Sequence, residues 1–169
     1  MSATSQRDQT FALAKRDPQK ALQKALAIPD PWFKAQALSC VARFTDEDPI
    51  KVATQAASAA SDCSDDFKKT AVRAWEIAAL AERKLITEAR KALHTALIQS
   101  RSVIPFSSRA EALMLLLQAS FRISHEDARG VAEELKNSCG NDSHWRCKRA
   151  VRDAVQLIDG KIEPRSFFL

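Results

Sequence analysis

The sequence predicts an all-α domain in which antiparallel helix pairs stack side by side as a short α–α solenoid. Only three Gly and six Pro occur in 169 residues, and the chain is 46% hydrophobic and 28% charged, a globular composition. Ala, Leu, Lys, Arg and Glu are abundant, and all favour helix. Val and Ile nowhere alternate with polar residues for long enough to suggest a strand. The stretch SDDFKKTAVRAWEIAALAER, residues 64–83, carries two apolar stripes at helical spacing. One is Phe67, Ala71, Ala74, Ala78 and Ala81, and the other is Val72, Trp75 and Ala79. Its polar strip is narrow: Lys69, Arg73, Glu76 and Arg83. A helix with two apolar faces needs neighbours on two sides, which is the situation of an inner helix in a stacked repeat. A compact multi-helix bundle is the alternative architecture.

The elements follow in order. A first helix spans 5–16 and stops at Asp17-Pro18. Asp is a strong N-cap, and Pro suits the first helical position, where its missing N–H would have no partner anyway. The pair recurs at Asp30-Pro31 and Asp48-Pro49, so helices are expected over 18–28, 31–44 and 49–62. The central helix follows over 65–83, with Ser64 able to cap it and Asp65 and Asp66 in its first turn. The next spans 85–102 and breaks before Ile104-Pro105. A strongly apolar helix over 106–123 carries Leu113, Leu116, Leu117 and Phe121. Ser124 caps a helix over 125–138, and Cys139-Gly140 ends it. The last opens at Asn141 or Asp142, runs to 159 and closes at Gly160. Residues 1–160 thus form one helical domain, and 161–169 a capping or flexible tail ending Phe167-Phe168-Leu169.

Four helices share a core. They read WFKAQALSCV at Trp32, FKKTAVRAW at Phe67, SSRAEALMLL at Ser107 and WRCKRAVRDAV at Trp145. Ala37-Leu38, Ala71-Val72, Ala112-Leu113 and Ala150-Val151 mark the register, with separations of roughly 34 to 41 residues, inside the range of helical-hairpin repeats. Before each lies a looser helix with spaced alanines, and small residues let helices stack closely. At these residues the chain resembles HEAT-type α-helical repeats. Asp30, Phe33, Lys34, Ala37 and Leu38 match the second helix of such a repeat, and Phe67, Lys68, Ala71 and Val72 match with Ser64 in the Asp position. Ser108, Arg109, Ala112 and Leu113 match from the basic residue onward, and Trp145 and Arg146 match only with one residue inserted before Ala150. The resemblance implies four to five stacked helix pairs, with the four core helices lining one surface.

Lys34, Lys68 and Arg109 share one repeat position, and Lys69, Arg73 and Arg149 lie near it in the repeat frame. Together with a net charge of +5 they compose a candidate basic ladder for phosphate, nucleic acid or an acidic peptide. The resemblance implies a different use, in which the basic repeat residue pairs with Asp in a structural ladder. Trp32, Trp75 and Trp145 are groove or core aromatics. The resemblance also brings one enzyme precedent, HEAT-like folds that act on alkylated DNA bases through Trp, Asp and Arg. Cys139, His144 and Cys147 lack the spacing of a zinc finger and an evident fourth ligand, so no metal is expected. His125-Glu126-Asp127 fits helix capping, and neither a nucleophile elbow nor a Gly-rich phosphate loop occurs. No catalytic residue and no cofactor is assigned. The opening residues lack the apolar run of a signal peptide, and the longest apolar run, 113–117, is too short to span a membrane. A cytoplasmic protein with mostly reduced thiols is the expectation. The functional expectation is a non-catalytic module that binds a protein or peptide. A nucleic-acid module stands second, and a HEAT-like enzyme on nucleic acid third.

Overall fold

The structure, a computed structural model, describes residues 1–168; Leu169, the last residue of the Phe167-Phe168-Leu169 tail, lies outside the described residues. Among the described residues the chain forms ten helices, the fifth and sixth separated only at Val72, and no strand. They are α1 (Ala3–Ala14), α2 (Pro18–Leu26), α3 (Pro31–Phe44), α4 (Pro49–Ser61), α5 (Asp66–Ala71), α6 (Arg73–Glu82), α7 (Ile86–Ser100), α8 (Phe106–Ser120), α9 (His125–Cys139) and α10 (Trp145–Ile158).

The three Asp-Pro pairs start helices as their chemistry requires. Asp17 accepts from the Lys20 amide at 3.0 Å, Asp30 from the Trp32 amide at 2.9 Å and Asp48 from the Lys51 amide at 3.1 Å. Asp48 does so from the left-handed region, φ 44°, which a short polar side chain tolerates better than most. Two expected caps are different. Asp65, not Ser64, caps α5, accepting from the Lys68 amide at 2.8 Å. The last helix begins at Trp145 rather than near Asn141, because the His144 ring nitrogen Nδ1 accepts from the Arg146 amide at 3.1 Å.

The expected continuous helix over 65–83 is two helices. The Trp75 amide bonds back only three residues, to the Val72 carbonyl at 3.2 Å, a tighter turn than an α-helix makes. Both halves pack on α4, α7 and α8, and α6 packs on α3 as well. Neither Pro nor Gly marks the interruption.

Neighbours follow a regular order. The sequential pairs α1–α2, α3–α4, α6–α7 and α8–α9 pack as hairpins. Their first helices form a row, α1 against α3, α3 against α6, α6 against α8 and α8 against α10. The four helices with the shared sequence core are therefore consecutive neighbours. The row carries the core, with Leu38, Val41, Ile77, Leu113, Leu116 and Leu117 fully buried. Alanine fills the close approaches: Ala74, Ala78, Ala79 and Ala81 on α6 are all buried. Among the described residues no helix is long and apolar enough to cross a membrane.

Both left-handed helix ends are built alike. The Leu85 amide reaches the Leu80 carbonyl at 2.9 Å and the Lys84 amide the Ala81 carbonyl at 2.9 Å; this closure requires φ 64° at Lys84. After α10 the Lys161 amide reaches the Gln156 carbonyl at 2.8 Å, with Gly160 at φ 73°. Lys84 bears a side chain where glycine is easier. Lys84→Gly is expected to raise the unfolding free energy by about 1 kcal/mol, and Gly160→Ala to lower it by about 1 kcal/mol. A Cβ at Gly160 meets nothing within 4 Å, so the second effect is backbone strain alone. Urea denaturation of the two variants checks both signs.

Candidate interaction face

The exposed side of the helix row gathers aromatic rings. Asp30 starts α3 so that Trp32 lies in its first turn, where it stacks on Phe67 of α5 at 6.3 Å and meets Trp75 of α6 edge-on at 5.8 Å. On α1, Arg7 sits 5.8 Å from the Phe11 ring and 5.3 Å from the Phe33 ring, and donates to Gln36 at 2.9 Å. An aromatic strip thus crosses α1, α3, α5 and α6.

The segment after Gly160 returns over this strip. Phe167 meets Trp75 edge-on, with centroids 5.3 Å apart and planes at 83°, and is 3% exposed. Phe168 packs on Phe11 at 6.0 Å. The Arg165 guanidinium lies 5.2 Å from the Trp75 ring and 5.0 Å from Phe167. Two side chains of the α8 end hold the backbone. The Arg165 amide donates to Gln118 Oε1 at 2.7 Å, and its carbonyl accepts from Arg122 at 2.9 Å. The return segment therefore spans from the end of α10 to α1 across α8 and α6.

Beside it the face continues as an open trough of about 330 Å³ lined by Phe67, Glu111, Met114, Leu115, Gln118 and Arg149, among others. Gln118 belongs to both parts, holding the return segment and edging the trough. At the C-terminal ends of the row helices, Glu82 of α6 joins Arg43 of α3 at 2.6 Å and Arg122, just after α8, at 3.6 Å. Sequence reasoning missed this cross-link, although Arg43 and Glu82 are 39 positions apart and Arg122 lies about as far beyond, which is the repeat spacing.

The basic residues singled out in the sequence are spread over several surfaces. Lys34 is half-buried on α3, Lys68 is exposed on α5, and Lys69 lines a cleft with Ser64, Asp65 and Ser108. Arg73 points the opposite way from Trp75, into the gap between α4 and α7, and pairs bidentately with Glu76. Arg109 donates to the carbonyls of Arg101 at 2.8 Å and Val103 at 3.1 Å, closing the end of α7. Arg149 pairs with Glu111 at 2.9 Å and lies over Trp145. Of the tryptophans, Trp32 and Trp75 come together; Trp145 is 58% exposed at the start of α10 and stacks on His144.

Among the described residues no group of three or more His, Cys, Asp or Glu converges on a metal position. Burial pushes the Cys40 thiol up to about 12 and the Cys63 and Cys139 thiols up to about 11, so they are protonated and weakly nucleophilic near neutrality. Cys139 spends its proton on the Phe106 carbonyl at 3.6 Å. His125 Nε2 pairs with the Ile158 carbonyl at 3.1 Å at the end of α10, so this nitrogen carries the ring proton. No protein-family model matches the chain, and neither the curated proteins nor the solved structures contain a significant match.

The Arg73–Glu76 pair is the one deeply buried ion pair described, and burial pushes the Glu76 carboxyl upward against the opposing pull of Arg73. Arg73→Met strands that carboxylate and is expected to cost about 3–5 kcal/mol at pH 7. A carboxyl whose folded pKa is raised destabilises the fold once pH exceeds its unfolded value of about 4.3. The deficit of Arg73→Met should therefore shrink on acidification from pH 7 to 5. Arg73→Met with Glu76→Leu should recover most of the loss. Urea denaturation at the two pH values checks this pattern; a deficit that grows on acidification would contradict it.

Proposed function

We propose that the chain is a HEAT-like interaction module whose aromatic row face binds an extended segment of a partner protein. The observation that carries this reading is that the face already holds a non-helical segment, residues 165–168, through rings and side-chain hydrogen bonds. Buried aromatic anchors with a few polar groups that fix a backbone are what peptide-binding surfaces require. The neighbouring trough adds apolar surface at Phe67, Met114 and Leu115 with charged residues at its edge.

A nucleic-acid reading would draw on Lys34, Lys68, Lys69, Arg73, Arg109 and Arg149. Three of these are already engaged, Arg73 with Glu76, Arg109 with the carbonyls that end α7, and Arg149 with Glu111. Salt separates the readings, because neutralising 6–10 phosphates costs about 10³–10⁵ in affinity between 50 and 200 mM salt, and burying apolar surface does not.

The test is selection of peptides from a displayed random library on the full chain, followed by calorimetric titration. Expected are peptides whose affinity changes less than about threefold over that salt range, and falls at least tenfold in folded Leu115→Ser or Phe67→Ser variants. Peptides indifferent to both substitutions, or steeply salt-dependent binding of a labelled oligonucleotide instead, would overturn the proposal.

A further inference from the structure

The return segment crosses the row on one buried ring, Phe167, and few polar contacts. Past the turn at Gly160, residues 161–163 are exposed, and Pro164 leads into the contacts. Two rings, the Arg165 guanidinium over Trp75 and two side-chain-to-backbone hydrogen bonds fasten the rest. Arg165 is exposed on its outer side, with its guanidinium over the Trp75 and Phe167 rings. The segment also stops short of the trough, whose Phe67, Met114 and Leu115 side chains are only partly buried. A competing segment on the same track could make every contact the resident makes, and could continue past Gln118 into the trough to make more.

We propose that residues 165–168 are a resident stand-in for a partner's segment, and that the face selects an extended strand of the pattern Arg-x-aromatic-aromatic, read by the Trp75 and Phe11 rings and by Gln118 and Arg122. This rests on the interaction reading above and names the chemistry of its partner. Each element of the pattern has a counterpart on the page. The arginine lies over Trp75, the first aromatic meets the Trp75 edge, the second packs on Phe11, and the backbone of the arginine is bonded on both sides. A tethered segment competes at an effective concentration of order millimolar. The free face is thus a minor state, and a partner's apparent affinity falls in proportion to the fraction free.

The experiment uses the full chain with Phe167→Ser and Phe168→Ser, which removes the resident rings and leaves every helix residue in place. The probe is a fluorescein-labelled peptide, KIEPRSFF, with KIEPRSSS as control, read by anisotropy; circular dichroism confirms the fold. The released variant is expected to bind KIEPRSFF at least tenfold more tightly than the wild-type chain does, and at least tenfold more tightly than it binds KIEPRSSS. Equal binding of the two peptides by a folded variant would overturn the proposal. If library peptides that depend on Leu115 still bind that variant, only the sequence preference falls; if nothing binds, the interaction reading falls with it. A wild-type dimer in sedimentation that the double substitution dissolves would also overturn it, by making the occupant a second copy of the chain. Should the double variant not fold, Phe168→Ser alone, which leaves the buried Phe167 ring in place, is held to the same comparison.

Discussion

Helix α6 is buried from Arg73 to Ala81, and the rest of the structure is arranged to make that tolerable. Every residue from Arg73 to Ala81 is shielded from solvent. A helix in that position has no solvated side, so it needs packing partners all round and a partner for each polar group it carries. Alanines at 74, 78, 79 and 81 let α3, α4, α7 and α8 approach closely. Arg73 and Glu76 are largely withdrawn from water and neutralise each other within one turn. On the opposite side Trp75 offers the row face a large ring that the helices alone leave incompletely covered. Trp32 takes one edge of it and Phe167 another. The return segment is in this sense a consequence of how α6 is buried.

The same arrangement explains why the row face, and not the gaps between the second helices, is the surface read as functional. The row helices are tied at one end by Arg43, Glu82 and Arg122. Each of these pairs is partly solvated and contributes about 0–1 kcal/mol, so their value lies in holding three helices in register. Register places the rings of α1, α3, α5 and α6 in one strip. Arg122 is shared between this tie and the carbonyl of Arg165, which couples the geometry of the row to the seat of the return segment.

Much of the helical order is legible in the sequence because it depends on local chemistry. The Asp-Pro pairs start α2, α3 and α4, and Phe44 ends α3 where the reading places it. Recurrent Ala-Leu and Ala-Val steps identify the helices that become consecutive neighbours. The interruption at Val72 is not legible, since no Pro or Gly marks it. Of the three tryptophans named by residue type, Trp32 and Trp75 lie together and Trp145 lies apart on the surface. Lys34, Lys68 and Arg109 share a repeat position, with Lys69, Arg73 and Arg149 near it, but they do not share a surface: about half a turn of helix separates Arg73 from Trp75, and carbonyls or carboxylates claim Arg109 and Arg149. The return segment has no periodicity to read. Its contacts join residues 47 positions apart at Gln118 and still further apart at Trp75 and Phe11, and no local rule reports on such distances.

The account turns on residues 165–168 occupying the aromatic strip. The measurement that addresses this most directly is the nuclear Overhauser spectrum of the wild-type chain in solution. Cross-peaks between the Phe168 and Phe11 ring protons, and between the Phe167 ring and the Trp75 indole, are expected together with those of Trp32 with Trp75. A spectrum that keeps the Trp32–Trp75 peaks but lacks both phenylalanine sets would contradict the account, leaving the helix row intact and its face empty.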